Sequence, residues 1–515
     1  MPSADPIDVA SALIPKEMVN AGSPEASYIS CISPEVLVEI FLARLMASPS
    51  EWMKQTLTLM LVSKYWEQVV LDTPEIWATI HSCDPIFIQR SIARARSIPL
   101  TIRAEHLLPN QDEPLATILA SLSQMRSLTL YPIRRREVVQ GFDKEWTSPA
   151  QDLEELVTTR IVLPRGLLGG FAPSLRKFSV NHGSSDWTTF PDCPQLEELE
   201  ILAPFAEISV TTLVQILQRS PHLKKLAIKR ALEDSNPLTE RVELCKLKEI
   251  SLAVDRANRT DRIVKLLNHI SIPADAGIQI MVDIYEEQDV YIDVVEAVQR
   301  CRSGRPLSPK SLSVLCKVDD HWVSDFALKI PREGGSNGEP YEIFFSSIEE
   351  PSPRTIGVLE RLSLGRLESL DLNATDAGYE SYAELPLSLW AMVAALPCLQ
   401  SLSVRNLYAL SFLIDGTEDV FCRESAGETN KPFRSLLRLE YEESNKDAAH
   451  QAGDLADRLK TMTSLTQLTF ISASSEGEWS DILRSVVRTV EVRTQMVELR
   501  TDSESENSQE SDEYL

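Results

Sequence analysis

One spacing recurs along this chain: an apolar residue, two variable ones, a second apolar residue, one variable, then a third apolar residue. QMRSLTL places Met125, Leu128 and Leu130; SLRKFSV places Leu175, Phe178 and Val180; QLEELEI places Leu196, Leu199 and Ile201. HLKKLAI (Leu223, Leu226, Ile228) and KLKEISL (Leu247, Ile250, Leu252) follow. RLESLDL (Leu367, Leu370, Leu372), CLQSLSV (Leu399, Leu402, Val404) and SLTQLTF (Leu465, Leu468, Phe470) come much later. Weaker copies are DLEELVT at 152–158 and LLRLEYE near 436–442. First anchors from Leu175 to Leu247 fall 21, 27 and 24 residues apart, and later ones are wider. The last four positions alternate as a half-buried strand does. One unit of this kind has too little apolar surface to close a core alone, so such units must stack.

Helical stripes stand ahead of many copies. Leu115, Ile118, Leu119 and Leu122 precede the first, and Leu213, Ile216 and Leu217 run into Ser220-Pro221, which stops a helix. Ile263, Leu266, Leu267 and Ile270 form another stripe, as do Trp390, Val393 and Ala394 before Pro397, and Leu455 and Leu459 before Leu465. Helix, turn and short strand in alternation resemble a leucine-rich-repeat solenoid. An ordinary α/β fold with a parallel sheet shares that alternation. The family's asparagine after the strand is missing from most copies, with only Asn373 and Asn406 near its place. Residues 274–362 carry the pattern poorly; GIQIMVDIY at 277–285 and KSLSVLCKV at 310–318 are the strand-like pieces there.

The N-terminal region reads differently. Ser33, Pro34 and Glu35 suit the first turn of a helix, and Leu37, Ile40, Phe41 and Leu45 form its stripe. A second helix is predicted roughly from Leu57 to Leu71, and Thr73-Pro74-Glu75 starts a short turn ending at Trp77. So small a unit carries surplus apolar surface, which calls for a partner. The ordered set Ile32-Ser33-Pro34-Glu35-Val36-Leu37-Val38-Glu39-Ile40-Phe41, Val62-Ser63-Lys64-Tyr65-Trp66 and Thr73-Pro74-Glu75-Ile76-Trp77 resembles an F-box. Ile32 stands where that family usually has Leu, and Ser33 where it has its first Pro. The sequel IQRSIARARSIPLTIRA at 88–104 is similar to the F-box proteins of mushroom-forming fungi.

The resemblance implies a Skp-type adaptor docked on this helical unit, and through it a cullin–RING ubiquitin ligase. The contact role then falls on Ile32, Pro34, Glu35, Leu37, Val38, Phe41, Val62, Ser63, Lys64 and Trp66. Core packing is the alternative for each, most of all for Phe41 and Trp66.

Composition narrows the function. A net charge of −25 argues against nucleic acid, since Arg134, Arg135 and Arg136 form the only basic run. Eight scattered cysteines make no CxxC pair and no zinc spacing. No apolar stretch approaches the roughly 20 residues of a membrane helix, and MPSADPIDVASALIPKEM has no leader-like pattern. Reduced thiols and a cytoplasmic or nuclear location are expected.

Seven histidines fall in no HExxH, and GxSxG, P-loop and GxGxxG motifs are missing. GGSNG at 334–338 reads as a loop, and Asp319-Asp320 before His321 as a solvated turn. No enzyme, cofactor or metal is expected.

The expected architecture is α/β. It comprises a disordered lead-in at 1–28, a three-helix F-box at 29–80, a curved, irregular leucine-rich-repeat solenoid at 81–500 with insertions around 275–360, and an acidic disordered tail at 501–515. The expected role is a ligase substrate receptor for an unknown target protein. A repeat scaffold outside any ligase is the other option, and an uncharacterised enzyme the third.

Overall fold

The structure is a computed structural model. It describes residues 32–82, 84–107, 112–132, 146–204, 207–233, 241–254, 260–283, 290–302, 309–319, 322–330, 341–346, 358–359, 361–375, 392–405, 433, 435–443, 456, 459, 464–472 and 478–494. The lead-in, the acidic tail, Arg134–Arg136, Asn406, GGSNG and His321 lie outside the described residues. The fold is mixed α/β, and the chain divides into two compact units, residues 1–133 and 134–515.

The first unit begins with α1 (Pro34–Met46), whose Leu37, Phe41 and Leu45 recur at four-residue spacing and are buried. It continues through α2 (Trp52–Val62), α3 (Lys64–Asp72), α4 (Pro74–Ala78), β1 (Thr79–Ile80), α5 (Pro85–Ala95), β2 (Leu100–Leu107), α6 (Asp112–Ala120) and β3 (Met125–Pro132). β1 pairs parallel with β2, and β2 with β3.

The predicted single helix from Leu57 to Leu71 is two helices. Ser63 takes an extended conformation (φ −162°, ψ 161°), and its Oγ accepts the Trp66 N–H at 3.1 Å to cap α3. The apolar period ran through Ser63 unbroken, so periodicity alone did not show the break. The core centres on Trp77, whose Nε1 donates to the Val70 carbonyl at 2.8 Å. Its ring meets Phe87 at 6.0 Å and the Arg94 guanidinium at 4.5 Å.

In the second unit the repeated motif becomes a parallel ladder. β4 (Glu155–Thr159), β5 (Lys177–Asn181), β6 (Glu198–Leu202), β7 (Lys225–Lys229), β8 (Glu249–Val254) and β9 (Gly277–Asp283) pair parallel, each with the next in the chain. Their second and third anchors, such as Leu199 with Ile201 and Leu226 with Ile228, point into the core. α7 (Val210–Gln218) runs ahead of β7, α8 (Thr260–His269) ahead of β9, and α9 (Val290–Cys301) follows β9.

β4 to β7 each end on a left-handed residue that is not glycine: Arg160, His182, Ala203 and Arg230. Each donates its N–H to the end of the following strand, at 2.8, 2.9, 2.7 and 2.8 Å. These bonds offset a conformation that costs roughly 1–2 kcal/mol per residue.

The weakly patterned region departs from the ladder. β10 (Ser311–Asp319), β11 (Trp322–Ile330) and β12 (Tyr341–Ser346) are consecutive in the chain, but β9 pairs with β12. β11 is antiparallel to both β12 and β10, and β10 pairs parallel with β13 (Ser369–Thr375). Parallel order resumes with β14 (Ser401–Arg405), β15 (Arg438–Glu443), β16 (Gln467–Ser472) and β17 (Thr489–Thr494). α10 (Glu478–Arg484) precedes β17.

Candidate functional site

Two surfaces stand out, one in each unit. In the first, the helices close their own core and still expose apolar side chains. Leu37 and Phe41 are buried, with Phe41 4.8 Å from the Trp66 ring. Ile32, Val38 and Trp66 are half-buried, while Pro34, Glu35, Ser63 and Lys64 are exposed. The Trp66 indole nitrogen is shielded from solvent and has no acceptor among the described residues.

Val36 and Ile40 lie one turn apart on α1 and are 51% and 49% exposed. Leu57 and Leu61 repeat that spacing on α2, with Leu61 71% exposed and Val62 beside it at 51%. Large apolar side chains grouped this way mark an interaction surface.

Ile40, which the sequence groups with Leu37, Phe41 and Leu45 in one stripe, is turned outward instead, and Val36, Leu57 and Leu61 are exposed with it. The available signal was excess: α1 carries Val36, Leu37, Val38, Ile40, Phe41 and Leu42, more than one stripe absorbs.

Local polar contacts hold this region. The Tyr65 hydroxyl donates to the Ile32 carbonyl at 2.7 Å, and Lys64 pairs with Glu67 at 2.9 Å in solvent. Hydrogen bonds from its own backbone N–H and then from the Ser33 hydroxyl hold the Glu35 carboxyl below the usual range. Ser63→Ala removes the α3 cap and should lower stability by about 1 kcal/mol, read as a lower denaturation midpoint at unchanged slope.

The second surface is the solvent-facing side of the ladder. Lys177 pairs with Glu155 at 3.0 Å, Lys225 with Glu200 at 2.8 Å, and Ser179 donates to Glu200 at 3.1 Å. Burial pushes the Glu200 carboxyl up, but its bond to Lys225 and the nearby lysine charges outweigh that and lower it. The Glu200 bond raises the Lys225 ammonium in turn. Between the parallel strands β14 and β15, Arg405 reaches Glu440 at 3.0 Å. A hollow of about 260 Å³ opens on this face, lined by residues that include Glu200, Lys225, Ala227, Glu249, Ser251 and Gly277.

Burial pushes the Cys193 and Cys301 thiols up to about 12, so neither is a thiolate at neutral pH. Among the described residues no group of three or more His, Cys, Asp or Glu side chains is placed to hold a metal. Nor, among them, is any helix long and apolar enough to cross a membrane.

No protein-family model and no curated protein matches the chain. Among solved structures it is similar to one titled a crystal structure of a TLR13–ssRNA13 complex, at 12% identity and a TM-score of 0.27. That match covers 77% of this chain and 45% of the other, so the chain spans under half of that protein's length.

Proposed function

We propose that this chain is the substrate receptor of a Skp–cullin–F-box type ubiquitin ligase, working in the cytoplasm or nucleus. The N-terminal helices act as an F-box that docks a Skp-type adaptor. The ladder is a degenerate leucine-rich-repeat solenoid that holds a protein target, and the chain performs no bond chemistry itself.

The observation that carries this reading is the exposed apolar set Val36, Ile40, Leu57, Leu61 and Val62 on helices whose core is already closed by Leu37, Phe41 and Leu45. Apolar surface not needed for folding is available for a partner. It lies on α1, which carries the Pro34-Glu35-Val36-Leu37 segment resembling the F-box, and on α2, which ends where the Val62-Ser63-Lys64 segment begins.

The experiment is capture of a purified Skp adaptor by the full chain. The native chain should bind. Leu61→Asp, in a residue already exposed, should weaken binding about thirtyfold, the size of a 2 kcal/mol hot spot, and leave unfolding within about 0.5 kcal/mol. A folded chain that retains no adaptor rules out the ligase role and leaves the repeat scaffold.

A further inference from the structure

Strand register lines up one row of side chains along the start of the ladder: Glu155, Lys177, Glu198, Lys225, Glu249, Gly277. The first five alternate in sign across neighbouring strands roughly 4.8 Å apart, a spacing at which opposite charges support one another. The sixth position, where the alternation would next set a cation, holds a residue with no side chain.

Glu249 is left at the end of the series. Lys225, its cationic neighbour, gives its direct bond to Glu200 at 2.8 Å. The Glu249 carboxylate makes no direct hydrogen bond or ion pair among the described residues, and reaches Lys225 only through its charge, which helps to raise that ammonium. The 260 Å³ hollow opens beside it, with Ala227, Ser251 and Gly277 among its lining. Ser251 Oγ donates to Gln279 Oε1 at 3.1 Å, which aligns two more polar groups along its wall.

We infer that this hollow receives a single arginine or lysine side chain from a partner protein, which completes the ladder by pairing with Glu249 over Gly277. The volume lies at the low end of ligand pockets, a size that suits one extended side chain. The lining balances Glu200 and Glu249 against Lys225 and Lys229, but Glu200 already occupies Lys225, and the place after Glu249 in the row, where a cation would follow, is the empty one at Gly277. Lys229 also lines the hollow, four residues further along its strand than Lys225. The inference deepens the proposed target-binding role by naming what the target presents.

The test titrates N-acetyl-arginine amide into the full chain and follows backbone amide resonances. Shifts confined to the neighbourhood of Ser251, Gly277 and Gln279 are expected. They should weaken at least tenfold in Glu249→Gln and persist in Glu243→Gln, a carboxylate removed elsewhere on the surface. N-acetyl-glutamate amide should leave the same resonances unmoved.

No response up to about 20 mM, a binding free energy weaker than about −2.3 kcal/mol, overturns the inference. So does a response equal in both variants, or one equally given by the glutamate probe. Adaptor capture is read separately: its failure sinks the ligase role and leaves the arginine site standing, and the reverse holds equally.

Discussion

Alanine at Trp77 should cost the N-terminal unit about 3–5 kcal/mol, the range for removing a buried aromatic ring. The side chain is 2% exposed and joins α4 to α3 through its Val70 bond and to α5 through Phe87 and Arg94. Truncation leaves a cavity, frees the Val70 carbonyl and strands Arg94 without its ring. The measurement is amide hydrogen exchange in α3 and α5, which should rise together by two orders of magnitude or more. Trp77→Phe keeps much of the volume and loses only the indole hydrogen bond, so it should recover more than half of the loss. Equal exchange in native and alanine forms would show that Trp77 does not organise these helices.

The second large effect belongs to the ladder. Phe178 is fully buried on β5, edge-on to Phe190 at 5.0 Å and to Trp187 at 6.4 Å. Phe178→Ala should destabilise the second unit by a similar 3–5 kcal/mol, because three rings pack around one site and cannot all collapse into the space. Phe178→Leu, which fits the motif's usual anchor, should lose less than half as much. Tryptophan emission near Trp187 should shift to the red in the alanine variant at denaturant concentrations where the native protein is unmoved. An unchanged emission curve would remove the ring cluster from the list of elements that hold the ladder.

Much of the ladder was legible in advance, because each motif carries its own strand. SLRKFSV, QLEELEI, HLKKLAI and KLKEISL became β5 to β8, and even the weak DLEELVT and LLRLEYE became β4 and β15. Alternation works as a signal here because one face of each strand is buried and the other wet. β17 escaped notice because its anchors are valines: Val487, Val490 and Val492 keep the spacing without a leucine. β11 and β12 escaped for another reason. A hairpin pairs by contacts between strands, and neither strand carries the leucine spacing that marks the repeat.

On the candidate surfaces, the segments that carry the N-terminal resemblance were visible as motifs, but exposure was not. Leu37 and Ile40 look alike in sequence, and only the packed helices send one inward and the other out. The row ending at Gly277 was invisible, since strand register decides which residues share a row.

The three strands between β9 and β13 also govern how this sheet can form. Elsewhere each strand templates on a neighbour a few tens of residues away, a short loop to close. At the junction Gln279 must meet Glu342. The entropy of the longer closure grows only by about 0.6 kcal/mol per doubling of loop length, so the finished sheet tolerates it. The search is slower, because non-local pairings delay folding. During synthesis, β4 to β9 can assemble while the hairpin is still inside the ribosome. The far end of the sheet, β13 to β17, joins them only after β12 has emerged and docked. Until then β9 presents a bare strand edge with every backbone donor and acceptor on it free to pair elsewhere. The hairpin is therefore the latch that merges two half-sheets and, once closed, removes that edge from reach of other chains.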